Sequence, residues 1–180
     1  MNLYAYAGSN PIAFSDPFGL EVCYKGSGED VQSLRKGTEE ATGSSITLND
    51  KNCVSKVESN GDKKFDRIRN RFQGQVDAEE VYSVQYDRSG THYFSWYDGP
   101  TRTANIIPGD VGGFLYNTGK WFAPCWLTGG IHDTPQTLGG LIAHELVGHG
   151  GGGIGESNAI SWENQYHHGS GQPARCEEQR

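Results

Sequence analysis

The residues of this chain that could do chemistry fall in one short run, His144-Glu145-Leu146-Val147-Gly148-His149, behind the apolar lead-in Leu141-Ile142-Ala143. Neutral imidazole is the commonest zinc ligand, and a carboxylate beside a ligand can take a proton from a water that the ion acidifies. Spacing decides whether the two imidazoles can share an ion. On a regular helix, positions i and i+4 lie about 40° apart, but i and i+5 lie about 140° apart. His144 and His149 have the second spacing. On a regular helix, then, His149 is a C-terminal cap or a surface group and no metal binds. The alternative is one wider π-type turn that absorbs the extra residue and restores a common face. Such turns occur disproportionately at functional sites, and Gly148 is a permissive residue for one.

This run resembles the His-Glu-x-x-Gly-His signature of the dipeptidyl-peptidase III family, which has the same insertion relative to the His-Glu-x-x-His zinc hydrolases. The resemblance covers six residues and implies the geometry of one zinc ion per chain, not a substrate. A catalytic zinc usually has three protein ligands and one water. Glu156, just past a glycine-rich turn and three residues before Ala159, resembles the third-ligand helix of glutamate-type zincins. Its gap from the second histidine is shorter than theirs. Glu163 is the competitor. It lies seven residues on, above Glu156 on a helix face, so one could ligate while the other orients an imidazole. Glu163 could also be a plain helix-face ion pair. Glu145 is the expected general base. An oxyanion donor is also needed, and Tyr166, His167 and His168 are the candidates. Adjacent histidines before a glycine also suit an ordinary surface loop.

Around this run the chain is modest. Its 180 residues are 34% hydrophobic and include 26 glycines, which suggests one domain with a small core and much loop. The net charge of −7 argues against a general nucleic-acid-binding role. No apolar run is long enough to span a membrane, and the first residues lack the basic start and apolar stretch of a signal peptide. Cys23, Cys53, Cys125 and Cys176 are widely spaced, with no Cys-x-x-Cys, so a cysteine zinc site is not expected. Disulfides and free thiols both remain open.

Residues 1–20 differ in character from the rest. They are rich in aromatics and turn formers, carry one charged residue, Asp16, and read as a strand followed by turns at Asn10-Pro11 and Asp16-Pro17. Pro11 to Leu20 fits Pro-x-x-x-x-Asp-Pro-x-Gly-Leu and so resembles the end of the core domain of rearrangement-hotspot (Rhs) repeat proteins. That resemblance implies a remnant of the Rhs shell at 1–20 and a toxin domain at 21–180. It also implies a cognate immunity protein, the Rhs shell as carrier, and delivery as a secreted effector into a target cell.

The elements that must position the site are less sharply written. Glu29–Ala41 has weak helical periodicity. Phe65, Ile68 and Phe72 mark one face of a second helix. The neighbouring Lys64, Arg67, Arg69 and Arg71 read as a solvated face. Val81–Tyr86 and Thr91–Tyr97 read as a hairpin across Asp87–Gly90, with a third strand at Ala104–Ile107. An aromatic cluster follows (Phe114, Tyr116, Trp121, Phe122, Trp126), expected in the core. His92 and His132 have no partner spacing and read as structural. The site helix is expected to start at Thr134-Pro135 and to run to His149, with a second helix at Glu156–Tyr166. The expected fold is α+β and zincin-like: a small antiparallel sheet, an active-site helix and a ligand helix. By analogy of motif and element order, the function is that of a zinc metallopeptidase toxin cleaving a protein in the target cell. A nuclease or other hydrolase, or a binding module with structural zinc, are the alternatives.

Overall fold

The computed structural model describes residues 21–113, 115–118, 131–152 and 155–176. The expectations for residues 1–20, for Phe114, Trp121, Phe122, Trp126 and Cys125, and for the side chains of Tyr116 and His132 lie outside them.

The chain is α+β. Strand β1 (Val22–Lys25) leads into helix α1 (Gly28–Thr42), which starts on a reciprocal cap. The Ser27 hydroxyl accepts from the Asp30 amide, and the Asp30 carboxylate accepts from the Ser27 amide. An antiparallel pair follows, β2 (Ser44–Leu48) and β3 (Val54–Ser59). A short 3-10 turn at Lys63–Phe65 then opens helix α2 (Asp66–Val76). Strands β4 (Tyr82–Tyr86), β5 (Trp96–Asp98) and β6 (Thr103–Ile106) complete the main sheet. Strands β7 (Leu115–Thr118) and β8 (Ile131–Pro135) form a second antiparallel pair. Helix α3 (Leu138–Ile142) runs without a break into a π-helical stretch, Ala143–His149, and helix α4 (Glu156–Ser170) follows.

Three sequence expectations are corrected here. The main sheet is mixed, in the order β1-β4-β6-β5. Strands β1, β4 and β6 run parallel, and β5 is antiparallel to β6. The expected hairpin of Val81–Tyr86 with Thr91–Tyr97 does not form, because β6 inserts between them. Every residue of β6 is buried, as a strand covered on both faces requires. The second correction is the start of the site helix. Thr134-Pro135 closes β8, and Thr137 is the N-cap, its hydroxyl accepting from the Gly140 amide at 3.0 Å. Helix α4 extends four residues beyond its expected end at Tyr166.

The core lies between the sheet and the helices. Val22, Val84, Ala104 and Ile106 from the sheet meet Leu34, Ile68, Phe72, Ile142, Leu146 and Val147. Leu146 and Val147 come from the π stretch itself, so the site is anchored by the same burial that holds the fold. The basic face of α2 is also not simply solvated. Arg69 is buried and donates to the Gly43 and Asp62 carbonyls, while Arg67 and Arg71 stand over the Trp162 ring. A disulfide joins Cys23 to Cys53 and ties β1 to the β2–β3 pair; Cys176 is also disulfide-bonded. His92 stacks on Trp96. No helix among the described residues is long and apolar enough to cross a membrane.

Candidate metal centre

The extra residue in the histidine run is absorbed by a π turn. Ala143–His149 is π-helical, and the Gly150 amide reaches back five residues to the Glu145 carbonyl at 3.2 Å. Widening a turn deprives a carbonyl of its usual partner. Here the Leu146 carbonyl is served from outside the helix by the Gln75 side-chain amide of α2, at 2.7 Å. The Gly148 carbonyl accepts from Asn158 Nδ2 at 3.1 Å.

Two glycines allow these approaches. A Cβ on Gly148 would come within 2.7 Å of Ala159 Cα, so any side chain there pushes α4 away. A Cβ on Gly150 would come within 2.8 Å of Gln75 Nε2 and displace the donor that serves the turn. Gly148 is therefore needed for the close packing of α4 on the turn.

The π turn brings both imidazoles to one carboxylate. His144 Nε2 lies 3.2 Å from Glu156 Oε1, and His149 Nε2 lies 3.6 Å from Glu156 Oε2. The rings stand 5.1 Å apart, nearly edge to face. Ligand atoms bound at about 2.0–2.1 Å to a tetrahedral ion stand about 3.3 Å from one another. The three groups offer one atom each, all within 4.8 Å of one another. His144, His149 and Glu156 can therefore hold a metal ion. His144 is buried, His149 is half-buried and the Glu156 side chain is 58% exposed, so the group opens to solvent on one side. A second cluster, Glu21 with Cys23 and Cys53, offers no thiolates because its two sulfurs are bonded to each other.

Glu163 stands behind the first histidine, outside this ligand group. His144 Nδ1–H donates to Glu163 Oε2 at 2.9 Å, which leaves Nε2 facing Glu156. Glu163 is fully buried and receives two more donors, Gln136 Nε2 at 2.6 Å and an Arg175 guanidinium N–H at 3.0 Å. Of the two carboxylates that the sequence offers as third ligand, Glu156 meets both imidazoles and Glu163 orients one.

Glu145 has the opposite environment. It is buried, and its Oε2 has no hydrogen-bond partner. Burial pushes its carboxyl up to about 7, against the opposing pull of His144 and His149. Burial also lowers His144, but its hydrogen bonds to Glu156 and Glu163 outweigh that and hold the metal-free imidazole at about 9. The same two histidines hold the Glu156 carboxyl well below the usual carboxylate range.

Tyr166 and His167 are placed differently from their expected role as oxyanion donors. Both are fully buried. The Tyr166 hydroxyl donates to Glu40 at 2.5 Å and meets Thr137 at 2.9 Å. Position i+4 on the helix puts His167 Nε2 3.7 Å from Glu163 Oε1, behind the ligand group. His168 is exposed. Sequence reasoning missed Gln75, Gln136 and Arg175, all of which act on the site from elsewhere in the chain. Nothing in their local sequence marks them.

No family model matches this chain, and neither a curated protein nor a solved structure matches it.

Proposed function

We propose that this chain is a zinc-dependent metallopeptidase of zincin type, acting as the toxic payload of an Rhs-type polymorphic toxin. One observation carries the reading. The π turn places His144 and His149 on a common carboxylate, Glu156, with the buried carboxyl of Glu145 beside them. The donor set, two imidazoles and one carboxylate, suits zinc and leaves a fourth position for water or substrate. When bound, the ion polarises a carbonyl and makes water a better nucleophile at neutral pH.

The residues of the chain do the rest. His144 and His149 would have to ligate as neutral imidazoles, and Glu163 fixes the ring of His144. Glu145, with its carboxyl near neutrality, is suited to take a proton from the attacking water and pass it to the leaving amine. A purely structural zinc would call for a closed set of four ligands. The exposure of Glu156 and the unpartnered oxygen of Glu145 favour a working site instead. The net charge of −7 disfavours a polyanionic nucleic-acid substrate. The carrier and the immunity partner follow from the resemblance of Pro11 to Leu20 to the Rhs core.

The test is expression of the full chain in a susceptible bacterium, beside its Glu145→Gln variant and beside co-expression of the neighbouring gene product. Growth arrest by the intact chain, none by Glu145→Gln, and rescue by the neighbour are expected. Fragmented cellular protein with intact nucleic acid separates a peptidase from a nuclease. Equal toxicity of the intact and Glu145→Gln forms rejects the hydrolytic mechanism.

A further inference from the structure

We propose that Arg175 is the electrophilic donor of this site, the group that receives the anionic oxygen developing on an attacked carbonyl. The proposal rests on the hydrolase reading above and names a residue that reading lacks. Attack on a carbonyl places negative charge on its oxygen, and donors fixed in advance near that point stabilise the transition state. Tyr166 is committed to Glu40 and Thr137, and His167 stands behind Glu163.

Arg175 stands at the rim of the ligand group. One guanidinium nitrogen donates to Glu163 Oε2 at 3.0 Å, and the other lies 3.6 Å from Glu156 Oε1. That Glu156 oxygen is itself 3.2 Å from His144 Nε2. The guanidinium therefore spans from the buried carboxylate behind His144 to the exposed carboxylate that faces solvent. Its side chain is 16% exposed, so it is not sealed in the core.

The position is fixed in advance. The Arg175 amide donates to Asn164 Oδ1 at 2.6 Å, and Asn164 Nδ2 donates back to the Arg175 carbonyl at 2.9 Å. The next residue, Cys176, is buried and disulfide-bonded. The guanidinium presents its donors in a planar fork. One arm can hold Glu163 while the other meets an anion beside the metal. No proton changes hands at Arg175, so it acts by charge and hydrogen bonding alone.

Inorganic phosphate is a tetrahedral oxyanion, and cobalt(II) in place of zinc reports its own coordination through visible absorption bands. The full chain is loaded with cobalt and titrated with phosphate, in the wild type, Arg175→Gln and Arg175→Lys. The wild-type bands are expected to shift with phosphate. Arg175→Gln should bind phosphate about 10–100-fold more weakly, as loss of hydrogen bonds to a charged group implies. Its cobalt affinity is measured alongside, at saturating metal for the phosphate titration, because Arg175 also contacts Glu163 and Glu156. Arg175→Lys keeps the charge but not the fork, so it should lose about tenfold, with a thermal transition like the wild type's to establish that it folds. Wild-type bands that phosphate leaves unchanged, or equal phosphate affinity in all three proteins, overturn the role of Arg175 alone. Loss of cobalt from both variants also overturns it, and makes Arg175 a support for Glu163 instead. A wild type that binds no cobalt overturns the metal reading and this proposal with it.

Discussion

The Gln75 side-chain amide donates to the Leu146 carbonyl at 2.7 Å, joining helix α2 to the one turn that makes the histidine pair possible. The carbonyl is buried, so removing its donor leaves an unmet acceptor at about 1–3 kcal/mol. Gln75→Ala should lower the melting temperature and favour relaxation of the π turn toward α geometry. That relaxation swings His149 away from Glu156, so zinc affinity should fall as well. Calorimetric zinc titration of the variant checks this. A Gln75→Ala protein with wild-type zinc affinity would show that the turn holds itself.

Metal content should rank the four ligand candidates. His144→Ala and His149→Ala are expected to lose nearly all zinc, and Glu156→Ala to lose most of it. Glu163→Ala should weaken binding about 10–100-fold without abolishing it, as a residue that orients a ligand does. Elemental analysis after dialysis against a chelator reads the order. If Glu163→Ala empties the site and Glu156→Ala does not, the two carboxylates exchange roles.

Zinc binding should release protons. The metal-free His144 imidazole is held at about 9, so it is protonated at pH 7 and must become neutral to ligate. About one proton should leave per ion from this residue at pH 7, and apparent zinc affinity should climb as pH rises toward 9. Calorimetry in buffers of different ionisation heat counts the protons. A buffer-independent heat contradicts the ion pairs of His144 with Glu156 and Glu163.

Glu145 makes a pH prediction of known sign. Its carboxyl is raised from 4.5 to about 7 in the folded, metal-free protein. The folded state therefore holds this proton more tightly than the unfolded chain does. Its contribution is complete below pH 4.5 and is lost as pH rises through 7, a change of about 3 kcal/mol. Glu145→Gln lacks this titration. With a chelator present, the variant should gain stability relative to wild type between pH 4.5 and 8. Parallel urea denaturation series across that range measure the gap. A gap that does not widen places the Glu145 carboxyl in a more solvated setting.

The site was more legible in the sequence than the sheet was. The spacing of His144 and His149 with a glycine between them is a local pattern, and it points to a π turn because a regular helix cannot pair those rings. Glu156 was legible for a similar reason, since it follows a short turn on the same stretch of chain. The pairing of β4 was not. Strand periodicity says which residues alternate, but it does not say that β6 will insert between Tyr82–Tyr86 and Trp96–Asp98. Parallel pairing is set by distant chain, through the burial of both faces of β6. The start of the site helix was misplaced because Pro135 suits a first helical turn, while the Thr137 hydroxyl caps the actual one. Gln75 and Arg175 reach the site only through tertiary packing, and a lone Gln or Arg carries no local mark of that.

The three candidate ligands lie close together in the chain, from the π stretch through the glycine-rich turn to the first residue of α4. Closing so short a loop sacrifices little chain entropy. An ion could stitch His144, His149 and Glu156 together while β1, β4 and β6, which must find one another across long separations, are still unpaired. Zinc would then act on the kinetics of folding as well as on the finished protein. It would hasten the collapse of the helical pair and give the slower parallel sheet a surface already in place against which to assemble.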